Sequence, residues 1–519
     1  MLTSSPATPS QTAMVTSPHP LASEAGAEVL RQGGTAIEAA VAIGAVLSVV
    51  MPHFCGIGGD AVWVLADEKG ESRCLLGLGQ AARTLPDFSA PIPLRGPGVM
   101  LTSASAVESW KTALDFSARH WGGRQSPASL LEAAILYAEE GYEPAASQRF
   151  WEDFRREELA RWPGFKEIFV EDNGLLRQPQ LAASLKTLAA EGLESFYHGA
   201  LAARLAKGFA EVGSPLTASD LQNTKTREAA PERLDYRGLT LLAPPPPTQG
   251  LTTLAIMGIL SHFDFSALPL ESAERMHLLV EAVKQAFLDR LRIGDPDFTA
   301  LDASFFLDPQ RLAAKAKAID PRQALLWPQP FRHGETVFFG VVDQQGRAAS
   351  VLQSTFFDWG SGVPVGDTGI LWHNRAASFS VEAGHPNQIR PGKRPFFTLN
   401  PGIALKQGRP HLVYGTQGAD GQPQTLSVVL NGLIDYGLTP EEALAQPRFL
   451  LGRTFSDARD SLKLEGEGHE SLWRALGHDV TFLSRLSPIF GQAGVIRLRP
   501  GHGAEGAHDP RGEGIALRL

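Results

Sequence analysis

Phe331–Ser350, FRHGETVFFGVVDQQGRAAS, is the stretch on which the reading of this chain turns. A polar, turn-like run ends at Glu335. Thr336 then opens TVFFGVVD, a segment of β-branched and aromatic residues that reads as a strand, and QQG closes it. Two readings of Thr336 compete. It is an ordinary β-branched residue at a strand start, which is what a threonine in this position is in most chains, or the chain is cut just before it. Nothing local separates the two, so the rest of the chain must.

The chain has 519 residues, 43% of them hydrophobic, enough for a large packed core. Its net charge is −9 and it contains no basic block, which argues against nucleic-acid or anionic-membrane partners. Cys55 and Cys74 are the only cysteines, so there is neither a disulfide framework nor a CxxC knuckle. The Ser/Thr/Pro-rich start lacks the pattern of a signal peptide, and the most apolar run, AIEAAVAIGAVLSVVMP, is short for a membrane span and contains Glu38. A cytoplasmic protein is the expectation.

Residues 1–19 read as disordered or as an extended lead-in. LASEAGAEVLRQGG reads as a helix stopped by Gly33 and Gly34, and Thr35 with Glu38 forms a capping box for a helix over roughly 36–50. CGIGGD is a glycine-rich turn before two strands. Ser126 and Pro127 start a helix near 126–140, and residues 147–230 read as mainly helical. Pro244–Pro247 reads as a stiff connector. Residues 272–291 give the clearest amphipathic helix, with Met276, Leu279, Val280, Val283 and Phe287 on one face, and core packing is the only role that helix needs. Strands near 336–343 and 347–355 surround the QQG turn, and helices near 424–435 and 440–446 follow. Strands and helices in blocks predict α/β layers rather than a βαβ repeat.

The motif search removes most chemistries. The 14 histidines are scattered, with no HExxH and no Cys/His set at ligand spacing, so no metal is expected. There is no GxGxxG after a strand, no GxxxxGK[ST] and no GxSxG, so no cofactor and no α/β-hydrolase elbow is expected. One mechanism needs little sequence around it. A Thr exposed by cleavage carries its own base, since a free α-amino group titrates near pH 7.7–8.0 and can take the hydroxyl proton at about neutral pH.

Five stretches in order resemble the gamma-glutamyltranspeptidase family. They are SEAGAEVLRQGGTAIEAAVAIGAVLSVVMPHFCGIGGDA (Ser23–Ala61), APPPPTQG, GETVFFGVVDQQGRAASVLQSTFFDWGSG, GKRPFFTLNPGI and YGTQGADGQPQT. The likeness runs from about residue 14 to the C-terminus. It implies the N-terminal-nucleophile hydrolase fold, an αββα four-layer sandwich made as one precursor that cuts itself at Glu335–Thr336. Residues 1–335 would be the large chain and 336–519 the small one, together one domain, as a single αβ pair or a dimer of pairs. On this pattern Thr336 is the nucleophile. Ser354 stands where the family has a Thr whose hydroxyl steadies it, with Thr355 as the fallback register. Gly418 and Ala419 match the Gly-Gly turn whose consecutive N–H groups form the oxyanion hole; Ala keeps its N–H if its backbone angles allow.

The departures cluster in substrate recognition. The family holds the glutamyl α-amino and α-carboxylate groups with an Asn, a Gln, an Asp, a Ser-Ser pair and a large-chain Arg. The matching positions here are Phe356, Arg375, Ser378, Phe397–Thr398 and Pro86. Ser378 carries no charge to pair an α-ammonium, whereas Arg375 adds a cation that can grip a carboxylate bidentately or form a structural salt bridge. A short amide bearing a carboxylate but no α-amine fits such a pocket better than glutathione. WHNRAASFS, FFTLNP and GTQGADGQPQT resemble the acylase and oxamate-amidohydrolase branch. Arg83 is a candidate for the missing large-chain arginine or a surface residue. Asp420 orients the Thr336 amine or caps its own turn. Cys55 reads as a small buried hydrophobe. A true γ-glutamyl transferase with an altered clamp, and an unprocessed binding protein, are the alternatives to a self-cleaving amidohydrolase.

Overall fold

The residues that follow Thr336 lie in the middle of a sheet. In the computed structural model, which describes residues 13–327, 336–454, 459–499 and 501–519, the strand Val337–Val342 pairs antiparallel with Ala348–Ser354 across the Asp343–Arg347 turn. Asp343 holds that turn by accepting from the N–H groups of Gln345 and Arg347. On its other side Val337–Val342 pairs with Met14–Ser17. The short strand Met14–Ser17 overturns, for those positions, the disordered alternative in the reading of residues 1–19. Its four residues are buried between Ile515–Arg518 and Val337–Val342, so tertiary pairing overrides a composition that suggested disorder. Residues 1–12 lie outside the described part.

Seven strands form this sheet, in the order Ile515–Arg518, Met14–Ser17, Val337–Val342, Ala348–Ser354, Asp60–Ala66, Ser72–Gly77, Arg227–Ala229. A second sheet of six runs Gly503–His508, Ala493–Arg499, Arg409–Thr416, Gly402–Lys406, Leu239–Ala243, Glu232–Tyr236. Segments before and after position 336 interleave in the first sheet and adjoin in the second, where Leu239–Ala243 pairs with Gly402–Lys406. Between the sheets lies an apolar layer that includes Val62, Val64, Leu76, Leu242, Phe338, Leu352, Ile403, Val413 and Ile496. Alternation along the strands sends the other side chains outward. There Val337, Phe339 and Val351 pack with the helices Pro20–Arg31, Ala36–Val50 and Pro127–Glu140, while Leu241, Ala404 and Leu412 pack with Gly250–Leu260, Ala273–Arg290 and Gln422–Ile434. The result is helix, sheet, sheet, helix: the αββα sandwich.

The local rules that place these helices are those the sequence carries. Thr35 and Glu38 make both bonds of a capping box, and Ala36–Val50 is buried along its whole length. Ser126 caps Pro127–Glu140. Among the described residues no helix is long and apolar enough to cross a membrane.

Candidate active site

Thr336 sits at the end of its strand, 1% exposed, and its hydroxyl donates to Ser354 Oγ at 2.9 Å. Antiparallel pairing leads to this contact: Val337 faces Gln353, so Thr336 and Ser354, each one residue further along, meet at the end of the ladder. Ser354 Oγ also accepts from the Phe356 N–H at 2.8 Å. The register therefore selects Ser354 over Thr355, whose N–H instead donates to the Phe54 carbonyl. Glu335 lies outside the described residues.

Beyond Ser354 the chain leaves the sheet in a constrained way. Phe356 has φ +84°, rare for a bulky residue, and its ring lies 3.8 Å from the Arg375 guanidinium carbon. Phe397 flanks the same guanidinium at 4.5 Å. Arg375 is 1% exposed, and its guanidinium makes one hydrogen bond among the described residues, from Nη1 to Thr398 Oγ1 at 3.5 Å. No carboxylate pairs with it at salt-bridge distance among those residues, although Asp60 and Asp420 act on it through space. Burial pushes its pKa down to about 9. The structural-salt-bridge reading of Arg375 thus finds no partner here. Asp60 is a residue the sequence reading passed over inside GIGGD. It stands opposite Ser354 in the sheet, accepts from the Gly79 and Ser105 N–H groups, and lies 3.1 Å from His373.

Gly418 (φ +119°) and Ala419 (φ +42°) form a left-handed turn directly before the helix Gln422–Ile434. The positive end of that helix adds to any anion stabilisation by the turn. Ala419 occupies a backbone region that costs an L-residue about 1–2 kcal/mol. Asp420 comes next along the turn. Its carboxylate is paired with Arg290, at the end of Ala273–Arg290. The guanidinium of Arg290 also lies over the Phe396 ring at 4.7 Å. That helix does more than pack the core.

A cavity of about 480 Å³ opens here. Phe356, Ser378, Thr398, Asp420 and Arg290 line it. Ser378 spends its hydroxyl on the carbonyls of Arg375 and Phe396, so it shapes the wall and presents no charge. Arg83 and Pro86 are exposed and absent from this lining. Among the described residues that line the cavity the arginine is Arg290, which no motif marked because it closes an otherwise ordinary amphipathic helix. Cys55 is buried beside Ser48 and Gln353, with its thiol pushed up to about 12 by burial, in keeping with an inert hydrophobe.

The fold also brings the distant His478 to His277 and Glu281, one helical turn apart in Ala273–Arg290, with ligand atoms within 4.8 Å of one another. The Lys284 ammonium already serves this cluster. It donates to Glu281 Oε1 at 2.7 Å and to the Leu325 carbonyl at 2.8 Å, while His277 bonds His478 at 2.9 Å. This is a satisfied polar network tying the segment before residue 328 to His478.

A family model for gamma-glutamyltranspeptidase matches residues 22–519. The chain is 42% identical to an oxamate amidohydrolase proenzyme of Klebsiella pneumoniae, covering 97% of this chain and 98% of the relative. It is 36% identical to a glutathione hydrolase-like YwrD proenzyme of Bacillus subtilis, covering 98% of each. A crystal structure of cephalosporin acylase from Bacillus halodurans superposes with a TM-score of 0.88 at 29% identity, over 100% of this chain and 98% of that one. With its αββα layers, the chain is an enzyme of the N-terminal-nucleophile hydrolase class and belongs to the gamma-glutamyltranspeptidase family.

Proposed function

We propose that this protein is a self-cleaving amidohydrolase in which Thr336 attacks a small amide carrying a carboxylate, oxamate-like or acyl-amide, and no α-amine. Cleavage at Glu335–Thr336 frees the α-amine of Thr336. The amine accepts the proton of Oγ1 as Oγ1 bonds to the amide carbonyl carbon, and the N–H groups of Gly418 and Ala419 receive the oxyanion. Collapse expels ammonia or an amine, which takes the proton from the α-ammonium. Water then attacks the resulting ester, the amine again accepting its proton, and the acid leaves with Thr336 restored. Ser354 fixes the Thr336 hydroxyl.

The observation that carries the substrate class is Arg375. A buried guanidinium between two aromatic faces, bonded among the described residues only to Thr398, is costly without an anion, and a carboxylate accepting two of its N–H groups would supply one. Phe356 and Ser378 remove the polar clamp that a γ-glutamyl group would need. The names of the relatives, an oxamate amidohydrolase proenzyme and a cephalosporin acylase, agree with an acyl-amide substrate and a processed chain.

The test is an intact-mass spectrum of wild type beside Thr336→Ala, followed by hydrolysis assays. Wild type should give two chains, the smaller beginning at Thr336, and the variant should stay whole. A wild type that stays whole after long incubation would return the chain to the binding-protein reading. A processed enzyme that turns over γ-glutamyl-p-nitroanilide but neither oxamate nor glutaryl amides would make it a γ-glutamyl transferase.

A further inference from the structure

Gln249, next to last in the APPPPTQG segment, is completely buried. Its Nε2 donates to two main-chain carbonyls at once, Thr398 O at 2.6 Å and Ala419 O at 2.8 Å. Its Oε1 accepts from Arg290 Nη2 at 3.3 Å. Arg290 in turn holds Asp420. One amide therefore joins the loop that carries Thr398, beside Arg375, to the turn that carries Gly418 and Ala419.

We infer that Gln249 is a positioning residue that sets the Gly418–Ala419 turn against the carboxylate subsite, with Arg290 orienting its amide. The inference rests on the functional reading above. Three features support it. The Ala419 carbonyl belongs to a residue at φ +42°, a conformation that persists only where surrounding bonds over-determine it. Its two acceptor positions are filled by Gln249 Nε2 and by the N–H of Gln422. Removing one loosens the peptide planes on which the Ala419 N–H direction depends.

Arg290 also fixes which way the Gln249 amide faces. A guanidinium can only donate, so it selects Oε1 toward itself and leaves Nε2 for the two carbonyls. Finally, Phe397 is stitched to the proline segment by main-chain bonds alone, Gln249 N to Phe397 O at 3.0 Å and Phe397 N to Pro247 O at 2.9 Å. Changing the Gln249 side chain leaves those bonds in place, so the Phe397–Arg375–Phe356 stack and substrate affinity should survive while the oxyanion turn shifts. The proline run is thus the support of the turn as well as a connector.

The experiment compares Gln249→Met, which keeps volume and removes every polar atom, with Gln249→Glu, which keeps an acceptor for Arg290 but offers no N–H to the carbonyls. Both are checked for processing and measured for kcat and KM on a carboxylate-bearing amide. The expected result is two-chain enzyme with KM within about threefold of wild type and kcat lowered about 10- to 100-fold, the scale of a misplaced or weakened oxyanion donor. A carboxylate-bearing boronic acid, tetrahedral once bound to Thr336, should lose affinity by the same factor, while the free acid product binds as in wild type. If one variant does not accumulate, the other carries the same readout. Processed Gln249→Met or Gln249→Glu with wild-type kcat overturns the inference and leaves the functional reading intact. Kinetics that worsen only in step with lost processing or lost thermal stability overturn it as well, in favour of a purely structural amide. A processed wild type that hydrolyses no carboxylate-bearing amide overturns the functional reading itself, and the inference with it.

Discussion

Replacing Arg375 by Met should make the protein more stable and a worse enzyme. The guanidinium is 1% exposed, and its pKa lies at about 9 against an ordinary value of 12.5, with burial the leading cause. At 1.36 kcal/mol per pH unit that depression is a penalty on the charged form of about 5 kcal/mol, an order-of-magnitude figure. The Phe356 and Phe397 faces return about 0.5–2 kcal/mol each. Met fills similar space and keeps a sulfur–aromatic contact. The variant should therefore gain about 1–4 kcal/mol at neutral pH, read from denaturant unfolding of the processed protein.

Function should move the other way. Two charge-assisted hydrogen bonds to a substrate carboxylate are each worth about 1.5–3 kcal/mol, so kcat/KM should fall about 10²- to 10⁴-fold. A folded-state pKa below the unfolded one means that the penalty is fully present below pH 9 and is relieved as pH rises from about 9 toward the ordinary arginine value. Wild-type stability should thus gain on Arg375→Met across that window, while the wild-type KM climbs above pH 9 as the cation is lost. The refuting result is a variant that loses 2 kcal/mol or more with KM unchanged, a loss about the size expected when a stabilising buried contact is removed. Arg375 would then be a structural cation and the substrate argument would fail.

Two other perturbations follow from the same geometry. Ala419→Gly removes a left-handed strain of about 1–2 kcal/mol and adds about 0.4–1 kcal/mol of unfolded-state entropy, so stability should change by less than about 1.5 kcal/mol and activity should be retained. A stability loss above about 2 kcal/mol, or loss of activity, would show that the methyl group itself packs the turn. His19, His53, His478 and His508 are buried, with pKa values lowered by burial to about 4, about 3, about 3 and about 4 respectively. Each favours the neutral ring, so stability is lost as pH falls below about 6.5. At pH 5 the combined cost approaches roughly 8 kcal/mol, on the scale of a whole fold's stability. Circular dichroism should show cooperative acid unfolding near pH 5, and a chain still fully folded at pH 4 would contradict these shifts.

The fold was legible where local rules and tertiary packing agree. The capping box at Thr35–Glu38, the Ser126–Pro127 helix start and the strands around QQG are each set by a few neighbouring residues, and each lies where those residues predict. Met14–Ser17 was not legible, because four residues of weak propensity become a strand only through partners from 337–342 and 515–518. The candidate site divides in the same way. Thr336, Ser354, Gly418 and Ala419 sit in motifs read along the chain, and pairing brings Thr336 against Ser354. Arg290 carries no such mark, and Gln249 sits in APPPPTQG without a role that the motif reveals. A helix-ending arginine and a glutamine after four prolines look like solvation and punctuation until three loops converge on them.

On the proposed function, that convergence explains how one scaffold would change substrate while its chemistry stays in place. Thr336, Ser354 and the strand pair that aligns them belong to the sheet, where a register slip would send every side chain to the wrong face. Phe356, Arg375, Ser378 and Thr398 belong to the loops that leave the sheets, where no ladder constrains identity. Such loops can exchange a polar clamp for a buried cation, provided that something keeps them aligned with the oxyanion turn. Gln249 does this through main-chain carbonyls, which are present whatever side chain follows. A clamp residue in these loops can then be replaced without moving the turn, because the bond that ties the loop to the turn does not depend on the side chain that was exchanged.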